Sequence, residues 1–125
     1  MGTNMNLSAV TNMVNFPIEL ENDTFKYCSI DVGNISFNID KEREIINFYC
    51  ELYPLKGHTI DEDIIIVFCF YTKNGKISKV EETFIYSESF FKIDIISNYL
   101  SFDSIDSLYN FINNVDRVKV YAKKR

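Results

Sequence analysis

The apolar run Ile64 to Tyr71, followed at once by Lys73-Asn74-Gly75-Lys76, constrains this chain more than any other stretch. A run that is apolar at every position suits a strand covered on both faces, near the centre of a sheet or sandwich. Asn-Gly tolerates the positive φ angles of a type I′ turn, whose twist matches the flanking strands. The return strand, Ile77 to Tyr86, carries Val80, Phe84 and Tyr86 at even spacing. A β-hairpin around Asn74-Gly75 is therefore the first expectation.

Composition points the same way. The 125 residues include eleven Phe and eight Tyr, while Ala occurs only at Ala9 and Ala122. Ala is the best helix former, whereas aromatic and β-branched residues favour strands. The length suits one domain. An apolar share of 46% with 25% charged residues is that of a folded globule rather than a disordered chain.

Alternation supplies the other strands. Phe25 to Asp31 reads as one, and Ile35, Phe37 and Ile39 alternate with Ser36 and Asn38. Together they predict a hairpin with a tight turn near Val32-Gly33. Ile46, Phe48, Cys50 and Leu52 alternate with Asn47, Tyr49, Glu51 and Tyr53, a half-buried strand that Pro54 ends. Phe91, Ile93 and Ile95 alternate with Lys92 and Asp94. The period then changes. Ile105, Leu108, Phe111 and Ile112 share one helical face, with Asp103 or Ser104 as N-cap, which predicts a short helix over about 104–113. Val115 to Tyr121 alternates again as a last strand. Residues 1–24 are polar and without clear period, a loose N-terminal arm with Phe16, Ile18 and Leu20 laid on the body as an edge strand. The expected fold is thus mostly β: an antiparallel β-sandwich of about seven strands over 25–125, with one short C-terminal helix before the last strand.

The segment Phe68-Cys69-Phe70-Tyr71-Thr72-Lys73-Asn74-Gly75-Lys76 resembles the motif that names the FxLYD family of immunoglobulin-like β-sandwich domains. Phe68, Tyr71 and Gly75 match; Phe70 stands for the family's Leu and Thr72 for its Asp. The strand Phe90 to Ile96 is similar to the family's closing strand, with Ser87-Glu88-Ser89 where a Pro-Gly often stands. The resemblance covers residues 44–96. It implies a sandwich fold and an exported or surface-attached protein.

The residues themselves favour the cytoplasm. Met1 to Val14 lacks a basic leader and a continuous apolar stretch. Ile64 to Tyr71 is too short to cross a membrane, which takes about 20 residues. Cys28, Cys50 and Cys69 are odd in number, without metal-ligand spacing, as expected of buried free thiols in a reducing compartment.

Net charge is −5, unevenly placed. Residues 1–116 hold eight basic and eighteen acidic side chains, while Arg117, Lys119, Lys123, Lys124 and Arg125 close the chain without an acid. The acidic body argues against nucleic-acid binding, which needs a basic surface. The basic end reads as a solvated tail.

Little catalytic chemistry is legible. His58, the single histidine, stands before Asp61, Glu62 and Asp63. It is a candidate general base or ligand, but without a second ligand or a positioned nucleophile it reads as an ordinary loop histidine beside solvated acids. Those acids lack the calcium-loop spacing. No catalytic residue, metal site or cofactor is expected.

Tyrosines offer a binding surface instead. Tyr49 and Tyr53 flank Glu51 on the outward face of one strand, and Tyr71 and Tyr86 sit at strand ends. Tyr is enriched in interface hot spots, although such rings also cover the second face of a sandwich or pack under a helix. The first expectation is a non-enzymatic module that binds a protein partner or itself. The alternative is a small acidic cytoplasmic inhibitor, of the immunity or phage anti-defence type, masking a basic partner.

Overall fold

A computed structural model describes residues 12–125. Its strands form two four-stranded sheets packed face to face. Sheet A runs, in spatial order, β1 (Met13–Val14), β3 (Ile30–Asp40), β4 (Ile45–Pro54), β7 (Asp94–Ser101). Sheet B runs β2 (Ile18–Leu20), β8 (Val115–Lys124), β5 (Ile64–Thr72), β6 (Ile77–Ile85). Neighbours are antiparallel except β2 and β8, which are parallel. Helix α1 (Asn22–Tyr27) leads into β3, and α2 (Ile105–Asn114) precedes β8. Among the described residues no helix is long and apolar enough to cross a membrane.

The alternation read from the sequence builds the core. Phe37, Phe48, Phe68 and Phe70 point inward from both sheets; the Phe48 and Phe68 rings meet at 4.7 Å between centroids. β5 lies between β8 and β6, and its residues Ile64 to Phe70 are all buried. α2 closes one end: Ser104 caps it by accepting the Ser107 N–H at 3.1 Å, and Leu108 and Phe111 enter the core.

The structure corrects several expectations. Phe25 to Asp31 is not a strand: α1 ends near Cys28, Ser29 takes a positive φ of 60°, and β3 starts at Ile30. No turn forms at Val32-Gly33. β3 runs straight through it with a bulge between Gly33 and Ser36, where Asn34 adopts φ 53°. Asn accepts the left-handed region that a bulge needs, so a turn-like dipeptide bends a strand rather than ending it. Within residues 12–24 of the N-terminal arm the expected edge strand forms, as β2 with Ile18, Glu19 and Leu20 exposed, and the segment before it packs onto the core. Phe16 is buried 5.1 Å from Phe37 between ring centroids, and the chain crosses here from the edge of sheet A to the edge of sheet B. Residues 1–11 of that arm lie outside the described residues.

The Asn74-Gly75 hairpin forms by a different turn. Gly75 N–H donates to Thr72 O at 2.9 Å and Thr72 N–H to Lys76 O at 2.8 Å, and only Gly75 takes a positive φ, 80°. This is a three-residue loop with a glycine bulge, not a two-residue type I′ turn. The basic end is no tail either. Arg117 to Lys124 belong to β8, inside sheet B, because Val118, Val120 and Ala122 are buried in its core face.

Candidate interaction surface

The register of sheet A decides what its outer face shows. Tyr49 lies opposite Ser36 and Ser97, Glu51 opposite Gly33 and Ile95, and Tyr53 opposite Asp31. Since opposite residues share a face, Tyr49, Glu51, Tyr53, Ile95 and, beside Asn47, Tyr99 form one outward surface. Ile95 and Tyr99 are 64% and 56% exposed, and Tyr53 36%.

Local devices hold this surface. The Tyr53 ring packs beside Gly33 on β3, at ordinary van der Waals distance from where a Cβ would stand. Asn34, thrown outward by the bulge, donates from Nδ2 to Glu51 Oε1. Partial burial, then the Glu51 and Asp31 carboxylates, keep the Tyr53 hydroxyl above its ordinary range, so it remains a neutral donor. No strand of sheet A contains Lys or Arg, whereas Asp31, Asp40, Glu51 and Asp94 all lie in it.

Of the other two tyrosines singled out, Tyr71 lies on sheet B and Tyr86 just past the end of β6, and the structure brings neither to this surface. Tyr71 stacks under Arg117, 4.3 Å from guanidinium to ring centroid, and Tyr86 packs with Arg125 at 5.7 Å. These cations are themselves paired: Arg117 Nε with Glu19 Oε2 at 2.9 Å, and Arg125 Nη1 with Asp63 Oδ2 at 3.7 Å.

Both sheets end at the same side of the sandwich in a free edge, β6 and β7, tied by Asn98 Nδ2 donating to Thr83 Oγ1 at 3.3 Å. The two edges differ. β6 is offset by a register shift and turns Lys79 and Glu81 inward, opposite Phe70 and Phe68; inward charge and bulges discourage further pairing. β7 pairs with β4 in unbroken register, and Ile95 to Ser101 carry no charge and no Pro. That is an edge able to accept another strand.

Sequence reasoning missed Ile95 and Tyr99. The alternation Phe91, Ile93, Ile95 is the exposed set, all more than 40% accessible, and Ile96 and Leu100 are the buried one. The pair Ile96 and Leu100, with Asn98 between, was the signal for the opposite parity.

His58 lies on an exposed loop. Its ring is 5.7 Å from Phe91, and its carbonyl accepts the Lys92 N–H at 2.7 Å. Cys28, Cys50 and Cys69 are buried and unpaired. Burial first, then the Asp94 and Glu51 carboxylates, push the Cys50 thiol up to about 12. Among the described residues no three His, Cys, Asp or Glu side chains gather as a metal cluster.

No family model, no curated protein and no solved structure matches the chain.

Proposed function

We propose that this protein is a non-enzymatic interaction module that engages a protein partner, or a second copy of itself, through the β4–β7 face of sheet A and the β7 edge. One observation carries the reading: the uncharged, unbulged edge of β7 borders a surface of Tyr49, Tyr53, Ile95 and Tyr99. Main-chain hydrogen bonds to the edge would supply affinity, and the tyrosine surface would supply side-chain contacts. The buried unpaired thiols suit a reducing cytoplasm.

A cationic partner fits best, because Glu51 and Asp31 face outward with no Lys or Arg in the strands around them. This favours the reading of an inhibitor that masks a basic protein, with complementary charge speeding association.

The test is a photo-crosslinking residue at position 99, with one at position 80 of β6 as control, in the native host. The expected result is one defined adduct, a partner or a dimer, from position 99 only. Tyr99→Lys, read by sedimentation and by partner binding, should abolish the association without lowering the melting temperature. Equal adducts from both positions, or a Tyr99→Lys protein that still associates, would overturn the assignment.

A further inference from the structure

A second surface lies away from the β7 edge, between the β5–β6 hairpin and α2. It is an open cleft of about 720 Å³. Ser107, Asn110 and Asn114 line its helical wall at intervals of one helical turn, and Asn74 and Lys76 line the hairpin wall. Phe102, half-buried, gives an apolar floor, backed by Phe111 at 5.2 Å between ring centroids. The walls are joined by Lys73 N–H donating to Asn114 O at 3.1 Å, so the cleft is built without a ligand.

Its charge differs from that of β8. Each basic side chain of β8, and Arg125, is paired with a carboxylate. Lys73, Lys76 and Lys79 form no ion pair among the described residues, and no carboxylate lines the cleft. Lys79 Nζ lies 5.2 Å from the Phe102 ring centroid. The carbonyl end of α2 disfavours an anion near Asn114, which places negative charge toward Lys76 and Lys79. Asn74 Oδ1 accepts from the Thr72 hydroxyl, and Asn110 Oδ1 accepts from Asn114 Nδ2 at 3.2 Å. Both amides are thereby oriented, with their NH2 groups unused by other described residues.

We propose that this cleft binds a small phosphorylated ligand carrying a planar ring, of the nucleoside phosphate class. Lys76, on the cleft wall, holds the phosphate as a point charge, and Lys79, turned inward beside the Phe102 floor, adds charge from behind the lining. The ring packs against the part of Phe102 that lines the cleft, and the amides of Asn74 and Asn110 donate to its polar edge, as Asn does with bases.

The side-chain amide NMR signals of Asn74 and Asn110 report the site directly. They are titrated with inorganic phosphate, adenosine, AMP and GMP. The nucleotides should give saturable shifts and bind at least about tenfold tighter than either fragment, since each charged hydrogen bond is worth about 1.5–3 kcal/mol. Lys76→Ala with Lys79→Ala should weaken nucleotide binding by at least about tenfold while the melting temperature holds. Should that pair unfold the protein, Lys76→Glu on the exposed turn gives the same comparison. Shifts absent with both nucleotides, phosphate binding as tightly as AMP, or lysine variants that bind like the wild type would each overturn the proposal. None of these outcomes bears on crosslinking at position 99.

Discussion

Sheet A leaves Tyr53, Ile95 and Tyr99 in solvent on its outer face, whereas sheet B covers its central strand and leaves Val80 and Phe84 exposed on edge strand β6. On β5, Ile65, Val67 and Cys69 point outward yet are 8%, 1% and 5% exposed. Their cross-strand neighbours on β8 are Lys123, Tyr121 and Lys119, and on β6 Phe84, Glu82 and Val80. The Lys123–Glu82 ion pair, 3.1 Å, closes over β5 from one side to the other. Long charged side chains cover apolar surface with their stems and keep their heads wet. Sheet A has no Lys or Arg in its strands to close over it, so Tyr53, Ile95 and Tyr99 stay uncovered. The centre of sheet B is thus covered from within, and the centre of sheet A's outer face is not.

The sharpest contrast lies within one strand. Phe48 and Tyr49 stand back to back on β4, one in the core and one on the outer face. Phe48→Ala should cost about 3–5 kcal/mol, and Tyr49→Ala well under half of that, both read by urea unfolding. Similar losses would mean that the Tyr49 face is structural. At the level of binding, Tyr53→Ala and Tyr99→Ala should each weaken partner association by about 2 kcal/mol, measured by calorimetry, and Tyr71→Ala and Tyr86→Ala should leave it intact.

A smaller effect follows from Cys50. Its thiol is held at about 12 in the folded protein against an ordinary 9.0, so the fold favours the neutral form. That contribution is whole below 9.0 and is lost as pH rises toward 12. Urea midpoints measured across this window should fall, and Cys50→Ala should flatten the decline. The smallest effect tests the roof of sheet B. Lys123→Ala should cost up to about 1 kcal/mol, while Lys123→Met, which keeps the stem over Ile65, should cost less. Equal costs would assign the roof to charge rather than to coverage.

Much of the sandwich was legible because alternation is a direct record of burial. The strand at 46–53 and the helix after Ser104 are read from period alone. What escaped was decided between elements. Gly33-Asn34 carries the chemistry of a turn, and only the pairing of β3 with β4 makes it a bulge. The basic residues 117–125 look like a tail because their partners, Glu19, Glu21, Glu62, Asp63 and Glu82, lie far away in the chain. Of the tyrosines, Tyr49 and Tyr53 could be grouped by spacing within one strand. Tyr71 and Tyr86 could not be separated from them without knowing that β4 and β5 belong to different sheets. The strand parity that exposes Tyr99 was hidden by an equally regular alternation just upstream.

The position of β8 also sets the order in which the molecule can assemble. The β3–β4 hairpin joins residues close in the chain and can close as soon as Pro54 has been made. Sheet B cannot: β2 and β5 both wait for β8, and Arg117 reaches Glu19 across 98 positions. Such distant pairings are slow to close. During synthesis β5, apolar on both faces, has only β6 beside it until the last strand emerges, so the most buried strand of the finished protein is the most exposed of the growing one.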